Sequence, residues 1–484
     1  MKYRQLLTSL LLGLLITPQI VALQQGSPTR KVSYTTYEEA KPILEALSEA
    51  APAELRAAQS QNLSALWSNW IARRDKAIRD RLQQGNEDSL VNFLLFGTSF
   101  TARPRITLRD LAAAGEKHLL SAGQHSPEAV AFIQLIRSRA DDLVRAAGAG
   151  KIERLLFARH LLQGKGYDLR TAEGHQQARD YLLTNLARVL SEQATYARVL
   201  ESARLMGDAT AEFAERSKLY RTRGLSSDTS LLPNFAIETT LGQLKSRGLL
   251  APDSVHKVGI IGPGLDFTDK QDGYDFYDEQ TIQPFAVIDS LLRLGLSRAD
   301  RLSLYTFDLN PRVNDHLRRA VISATGGASY TIQLPRDLNG QWKEGLIEYW
   351  EKFGERIGTP GQPAAVPAGL PDLKVRAVKV RPAIVTMISP MDTNIVLQRL
   401  ELAPSERFDL LIATNILVYY DVFEQSLALT NVEAMLRPGG FLLSNNALLE
   451  LPASGMHSIG YDTVIYSPKP NDGDHIVWYQ RVAH

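Results

Sequence analysis

Residues 257–267 read KVGIIGPGLDF, an apolar run that ends at glycine, proline and glycine and then meets an acid. Many folds hold a nucleotide with a strand followed by glycines, because glycine lets backbone N–H groups approach a ligand closely. Similar apolar runs recur along the second half of the chain. They are RLSLYTFD (301–308), PAIVTMISPMD (382–392), RFDLLIATN (407–415) and GGFLLSNNAL (439–448). The opening stretch therefore begins a series of buried strands.

Helical patterns separate these runs, which indicates a parallel sheet that is covered on both faces. The last two runs, GYDTVIYS (460–467) and DHIVWYQRV (474–482), are joined by only a short connection. Such a connection is typical of a hairpin, so the final strand runs antiparallel to its neighbours. The second half is predicted to be an α/β fold, a seven-stranded Rossmann-like sheet with a C-terminal antiparallel hairpin.

The first half has a different pattern. From Tyr34 to Leu225, apolar residues recur at helical spacing with charged residues between them. We predict an all-α domain over residues 30–225, followed by an α/β domain over residues 226–484. Residues 324–383 form an insertion between the second and third strands of that sheet.

The N-terminus, MKYRQLLTSLLLGLLITPQIVA, has two basic residues, a short apolar core over 6–16 and a small residue near position 22. This order is typical of a secretory signal peptide, so residues 1–22 predict an exported protein, periplasmic or secreted. Two alternatives remain open. Residues 6–23 could anchor the chain in a membrane with its body outside the cytoplasm, or the segment is no signal and the protein is cytoplasmic.

Composition excludes several classes of function. Lys+Arg number 54 and Asp+Glu 53, so the net charge of +1 gives no general attraction to nucleic acid or anionic lipid. We therefore expect no nucleic-acid partner, and membrane contact only through the N-terminal segment. The chain has no cysteine, which excludes thiolate catalysis and thiolate zinc sites. Metalloprotease, serine-hydrolase and P-loop motifs are also missing, and we predict no metal site.

A nicotinamide dinucleotide fold is the first alternative to test. Its fingerprint requires a third glycine where this chain has Phe267, and an acid about 20 residues beyond the glycines. Here the acid that ends the second run, Asp308, follows Gly264 by 44 residues (308 − 264). Both requirements fail, so an NAD-type oxidoreductase is a weaker hypothesis.

The ordered motifs of the second half resemble those of class I S-adenosylmethionine-dependent methyltransferases. Gly-x-Gly follows the first strand, an acid ends the second, and another acid follows the third. The fourth strand and its helix lead into LRPGG (436–440), which resembles the family's turn into the fifth strand. The resemblance covers roughly residues 233–484 and does not extend to the helical half.

The resemblance implies S-adenosylmethionine as the cofactor and a role for several strand-end residues. Gly262 and Gly264 would let the backbone approach the amino-acid end of the cofactor. Asp308 would accept hydrogen bonds from the ribose hydroxyls, and Asp392 from the adenine amine. Asn415 would lie near the methyl-donor sulfonium.

The sequence also departs from the family pattern. The family usually carries an acid two residues before the first glycine, where this chain has Ile260. Asp266, or an acid of the long loop that follows it, could take over that acid's role toward the ammonium group. We predict either a solvated surface loop or a lid for this loop, DFTDKQDGYDFYDEQTIQP (266–284).

Three functions follow from these observations. The first is methyl transfer to an unidentified acceptor, a small molecule or a protein, by an enzyme whose catalytic residues the motifs do not identify. The second is a catalytically inactive, methyltransferase-like binding module outside the cytoplasm. It is favoured by the predicted signal peptide, because the methyl donor is made in the cytosol. The third is the NAD-type oxidoreductase.

Overall fold

The structure is a computed structural model that describes residues 31–57, 62–107, 110–111, 127–205, 220, 223–266, 274–469 and 472–482. The predicted signal segment, residues 1–22, lies outside this range, as do residues 267–273 of the long loop. Among the described residues, no helix combines the length and hydropathy needed to cross a bilayer.

The first half of the chain is helical where it is described, apart from one short strand. Its elements are β1 (Val32–Tyr34), α1 (Tyr37–Ala46), α2 (Ala53–Arg56), α3 (Leu63–Phe96), α4 (Pro127–Ala149), α5 (Glu153–Gly164) and α6 (Ala172–Leu205). Helix α1 begins at a capping box, in which Thr36 and Glu39 each accept a hydrogen bond from the other's backbone N–H. The three-residue strand β1 is the exception to the all-helical prediction.

The second half alternates strands and helices, as predicted. Its elements are α7 (Leu232–Ser246), β2 (Lys257–Ile261), α8 (Gln283–Arg293), β3 (Ser303–Asp308), α9 (Pro311–Thr325), β4 (Tyr330–Asp337), α10 (Glu344–Lys352), β5 (Gly358–Pro360), β6 (Leu373–Val380), α11 (Pro382–Val385), β7 (Ile388–Asp392), β8 (Gln398–Leu400), β9 (Phe408–Ala413), α12 (Val422–Met435), β10 (Leu436–Ser444), β11 (Met456–Ile465) and β12 (Gly473–Arg481). Every residue of β9 is buried, which explains its unbroken apolar sequence.

Seven of these strands form the main sheet, in the order β11-β12-β10-β9-β2-β3-β7. Strands β7, β3, β2, β9 and β10 are parallel, and β12 is antiparallel to both β10 and β11. The seven-stranded Rossmann-like sheet with its C-terminal antiparallel hairpin is therefore confirmed. The LRPGG segment belongs to β10 rather than to a separate turn, and the pairing of β10 with β9 is irregular between Leu436 and Phe441.

The insertion folds against the main sheet as a small unit. Strands β4, β6 and β5 form an antiparallel sheet in the order β4-β6-β5. Trp350 of α10 is 1% exposed and belongs to the same buried cluster as β2 and β3. The insertion thus shares the core of the sheet that it interrupts.

The buried clusters do not divide the chain at residue 225. One cluster joins Trp67, Trp70 and Ile78 of α3 with side chains of β9 and α12. The rings of Trp70 and Phe423 lie 5.8 Å apart, centroid to centroid. The C-terminal part of α3 instead packs with α4, α5 and α6 in a separate helical core. Helix α3 therefore connects the two cores, while the domain limits themselves stay a prediction.

Candidate functional site

A cavity of about 690 Å³ lies at the carboxyl ends of the parallel strands. Ligands of open α/β sheets bind at this edge, where the strand order reverses. The ends of five parallel strands contribute residues to the cavity, namely Ile261 with Gly262 for β2, Phe307 with Asp308 for β3, Thr393 for β7, Thr414 with Asn415 for β9, and Asn445 for β10. The edge that the sequence analysis identified is therefore the edge that carries the cavity.

Gly262 and Gly264 both line the cavity, and each has a backbone φ of +68°. A Cβ at Gly262 would lie 2.2 Å from Cδ1 of Ile416, and one at Gly264 would lie 2.7 Å from the carbonyl oxygen of Ser227. The chain before α7 packs directly on Gly264, since Leu265 N–H donates to Ser227 O at 2.6 Å. Gly264 thus meets a neighbouring backbone segment as well as the cavity.

Asp308 ends strand β3, is half-buried and lines the cavity. Burial raises its pKa to about 7, and the nearby Asp392 adds to the rise. The N–H groups of Asn310 and Gly264 donate to the carboxyl group and partly oppose the effect. Asp308 is therefore a carboxyl group that changes charge near neutral pH.

Asp392 is at the end of β7, as predicted, but it does not belong to the described residues that line the cavity. Its Oδ1 accepts a hydrogen bond from Nη1 of Arg79 at 2.8 Å, and Arg79 also pairs with Asp75. The structure therefore turns the Asp392 carboxylate toward helix α3. Its assignment to the adenine amine stays a prediction.

Asp266 is 6% exposed and also lies away from the cavity lining. Tyr277 Oη and Gln280 Nε2 donate to its Oδ2 at 2.8 and 2.9 Å, and burial raises its pKa. These hydrogen bonds connect Asp266 to the long loop. The predicted role of Asp266 toward the cofactor ammonium stays a prediction.

Residues 267–273 of the long loop lie outside the described range, so the lid stays a prediction. The described part, residues 274–282, is not a solvated surface loop and contributes no residue to the cavity lining. Most of its residues are buried, and Asp275 accepts hydrogen bonds from the backbone and hydroxyl groups of Thr98 and Ser99. Arg154 of α5 donates to the carbonyl oxygens of Asp266, Asp275 and Tyr277. The loop therefore connects the helical core to the sheet.

Asn415 follows β9 at the cavity and has a φ of +59°, a conformation that asparagine tolerates better than most residues. Its backbone N–H donates to Asn445 Oδ1 at 2.8 Å, and Asn445 Nδ2 donates to Asn415 Oδ1 at 2.6 Å. This reciprocal pair fixes the mouth of the cavity between β9 and β10.

Sequence reasoning missed several groups of lining residues, among them the first turn of α7 (232–234), the pair Asn445 and Asn446, and the hairpin residues 472–475. The segment before α7 (226–230) also lines the cavity, and its sequence leaves open whether Asp228 and Ser230 cap a helix or face the cleft. Asn310 was missed as well, although Asn before Pro at a helix start is a recognisable capping pattern. Its Oδ1 caps α9, while its Nδ2 has no hydrogen-bond partner among the described residues.

One further cluster lies outside the cavity lining. Glu153, Glu279 and His316 bring potential metal-ligand atoms within 4.8 Å of one another. Arg312 already places its guanidinium 3.3 Å from Glu279 Oε1, and Arg319 pairs with Glu153. These two arginines supply the positive charge that a metal ion would bring.

No protein-family model and no curated protein sequence matches the chain. Among solved structures, TrmN from Thermus thermophilus is 12% identical, with 52% of each chain covered and a TM-score of 0.25. The glycopeptide N-methyltransferase MtfA is 10% identical over 52% of this chain and 96% of its own, with a TM-score of 0.26.

Magnesium protoporphyrin IX methyltransferase (ChlM) from Synechocystis PCC 6803, with bound SAM, is 10% identical over 51% of this chain and 79% of its own. Its TM-score is 0.23. All three TM-scores lie below 0.5, and the fold rests on the strand order of the main sheet.

Proposed function

We propose that this chain is an S-adenosylmethionine-dependent methyltransferase. The observation that carries the proposal is the cavity at the carboxyl edge, built on the Gly262–Gly264 turn and bordered by Asp308. The antiparallel β12 inserted between β10 and β11 argues against a nicotinamide dinucleotide enzyme, whose sheet is mostly parallel. A volume of about 690 Å³ lies within the range of small-molecule sites, roughly 300–1,000 Å³.

The residues present fit the cofactor. Asp308 offers a carboxylate acceptor for two ribose hydroxyls at the junction of β2 and β3. Two buried side chains on the same side of the cavity, Asn310 and Thr393, each have a polar atom without a hydrogen-bond partner among the described residues. A bound nucleoside would satisfy such atoms, and their burial is otherwise costly.

When bound, S-adenosylmethionine supplies a methyl group on a sulfonium, which passes to the acceptor by in-line displacement. This chain's residues contribute alignment, exclusion of water and a matching charge. Four aspartates line the cavity, namely Asp228, Asp308, Asp472 and Asp474. No lysine or arginine occurs among the described residues that line it. The carboxylates of Asp472 and Asp474 favour a cationic ligand over an anionic one.

Calorimetric titration of the purified chain with S-adenosylmethionine, and separately with NAD, tests the proposal. We expect affinity for the methyl donor only. Asp308→Asn should weaken donor binding by about 10- to 150-fold, because a hydrogen bond to a charged group contributes about 1.5–3 kcal/mol. Lys379→Ala, at an exposed position on β6, is the matched control and should bind normally.

Two results would contradict this function. If the wild-type chain has no affinity for the donor and Asp308→Asn changes only the melting temperature, the inactive binding module becomes the better hypothesis. Affinity for NAD alone would favour the oxidoreductase.

We also propose export through residues 1–22, on the evidence of their sequence pattern. N-terminal sequencing of the protein from its host should find a mature terminus near Leu23. Recovery of intact Met1 from the cytoplasm would contradict export.

A further inference from the structure

Part of the cavity wall is contributed by chain segments that lie against helix α3. The chain before α7 lines the cavity over residues 225–230, Tyr220 lines it as well, and Tyr419 lines it after β9. The rings of Tyr220 and Tyr419 contact each other, with centroids 5.4 Å apart and planes at 85°. We call this part of the cavity, formed by Tyr220, residues 225–230 and Tyr419, the linker wall.

One guanidinium on α3 contacts both segments of the linker wall. Arg81 Nε and Nη2 donate to the carbonyl oxygen of Arg223 at 3.2 and 3.0 Å, and Nη2 also donates to that of Tyr220 at 3.1 Å. Arg81 Nη1 donates to the carbonyl oxygen of Tyr419 at 3.1 Å. Arg81 forms no ion pair among the described residues and does not belong to the described cavity lining. Its donors thus hold backbone carbonyls of two segments that are distant in sequence.

The backbone of the linker wall also packs directly on α3, one turn after Arg81. Leu225 N–H donates to the carbonyl oxygen of Arg81 at 3.2 Å. A Cβ at Gly85 would lie 1.8 Å from the carbonyl oxygen of Leu225, and one at Gly224 would lie 2.2 Å from the backbone nitrogen of Gly85. The two glycines therefore permit a backbone contact that side chains would prevent.

On its other side, the linker wall is hydrogen-bonded to the glycine turn after β2. Leu265 N–H donates to the carbonyl oxygen of Ser227 at 2.6 Å, and Thr229 N–H donates to that of Leu265 at 3.2 Å. The segment before α7 is therefore attached to α3 at one end and to the turn of Gly264 at the other. Both attachments together fix its position at the cavity.

We propose that Arg81 is a positioning residue of the site, whose guanidinium holds the linker wall in its ligand-binding position before a ligand arrives. A ligand then does not lose free energy to ordering the wall, so its affinity is higher although Arg81 does not contact it. An arginine suits this role, because its five N–H donors form a rigid fork that can hold two segments at once. The inference rests on the proposed function for the identity of the ligand, while the ordering of the wall can be measured without one.

Calorimetric titration with S-adenosylhomocysteine compares the wild-type chain with Arg81→Ala. We expect the variant to bind about 5- to 20-fold more weakly. The heat capacity change of binding should also become more negative, because the ligand then orders the wall as it binds. A loss of stability alone would not change this quantity in the folded protein.

Arg139→Ala is the matched control. Arg139 is also a guanidinium that donates to four backbone carbonyls, but it lies in the helical core and outside the described cavity lining. Its removal should lower the melting temperature and leave the affinity and the heat capacity change of binding as in wild type.

Two further measurements keep the test decisive if an alanine variant does not fold. Arg81→Lys keeps the charge on a single nitrogen, which cannot hold both segments as the fork does, so it should also bind S-adenosylhomocysteine more weakly; Arg139→Lys is its control. Amide hydrogen exchange, followed by mass spectrometry without ligand, should be faster over residues 223–230 in the Arg81 variants and unchanged there in the Arg139 variants.

The inference is overturned if the Arg81 variants bind S-adenosylhomocysteine as tightly as wild type, if the Arg139 variants lose as much affinity, or if exchange over residues 223–230 is the same in the Arg81 variants and wild type. Normal binding by wild type and by the Arg81 variants leaves the proposed function intact. If the wild-type chain does not bind S-adenosylhomocysteine, the proposed function fails, and the exchange measurement alone decides whether Arg81 orders the wall.

Discussion

Replacing Asp308 with asparagine should stabilise the protein above neutral pH while it weakens donor binding. Burial raises the pKa of this carboxyl group from 3.8 to about 7. Between these two values the unfolded chain releases the proton and the folded chain keeps it, so stability falls as pH rises through this window. The loss is complete above pH 7. Asp308→Asn has no proton to lose, so its stability relative to wild type increases over the same window.

The size of the effect follows from the pH range that is measured. Two pH units lie between pH 5 and the raised pKa of about 7, so the change in the free energy of unfolding is at most about 3 kcal/mol. The side chain borders a cavity open to water, which screens the charge, so we expect about 1–2 kcal/mol. Urea unfolding at pH 5, 6, 7 and 8, followed by tryptophan fluorescence, measures the difference between variant and wild type.

A matched control separates this effect from a general change of charge. Asp315 lies on α9 with 57% of its side chain exposed, so Asp315→Asn removes one negative charge at the surface and is unfolded at the same four pH values for comparison. The reasoning is refuted if the stability difference between Asp308→Asn and wild type is the same at pH 5 and pH 8. Such a result would mean that the carboxyl group titrates at its ordinary pKa.

Three further predictions concern residues around the site. Asp392→Asn should leave donor affinity within twofold of wild type, because its carboxylate pairs with Arg79 away from the cavity; a loss similar to that of Asp308→Asn in the same titration would instead support adenine binding. Arg154→Ala should cost about 2–4 kcal/mol and expose residues 274–282 to proteolysis, since a buried guanidinium donates to two carbonyls there and to that of Asp266; an unchanged melting temperature and cleavage pattern would contradict that role. Asn415→Val should destabilise the chain by more than Asn415→Gly, by roughly 1–2 kcal/mol, because only the glycine tolerates a positive φ without strain; equal melting temperatures for the two variants would show that this conformation is relaxed.

The sheet could be predicted because each of its strands shows a recognisable pattern within its own stretch of sequence. The fully buried β9 is an uninterrupted apolar run, and the short connection between β11 and β12 indicated a hairpin. The Gly262–Gly264 turn and Asp308 were found because they directly follow such runs. Residues of this kind can be located by counting along the chain from a strand that the pattern already shows.

The remaining site residues depend on partners that are distant in sequence. Arg79 and Asp392 are separated by 313 positions, and nothing local to either one indicates their ion pair. No sequence pattern indicates that Ser227 packs on Gly264 either, because this contact depends on how the chain enters α7. Arg81 reads as an ordinary helical arginine, because the carbonyls that it contacts are 139 to 338 positions away in the sequence.

The pairing of β1 with β8 determines when this protein can finish folding. Strand β1 is among the first residues that the structure describes, yet it pairs only with Gln398–Leu400, and Thr35 Oγ1 donates to the carbonyl of Leu397 across 362 positions. At ribosomal speeds of about 5–20 residues per second, roughly 20–70 seconds separate the synthesis of these two segments. Trp67 Nε1 donates to the carbonyl of Thr35, so the final contacts around Trp67 also form only after the later segment has been synthesised. Until those later residues are made, Trp67 and Trp70 therefore lack their contacts in the core that joins α3 to β9 and α12.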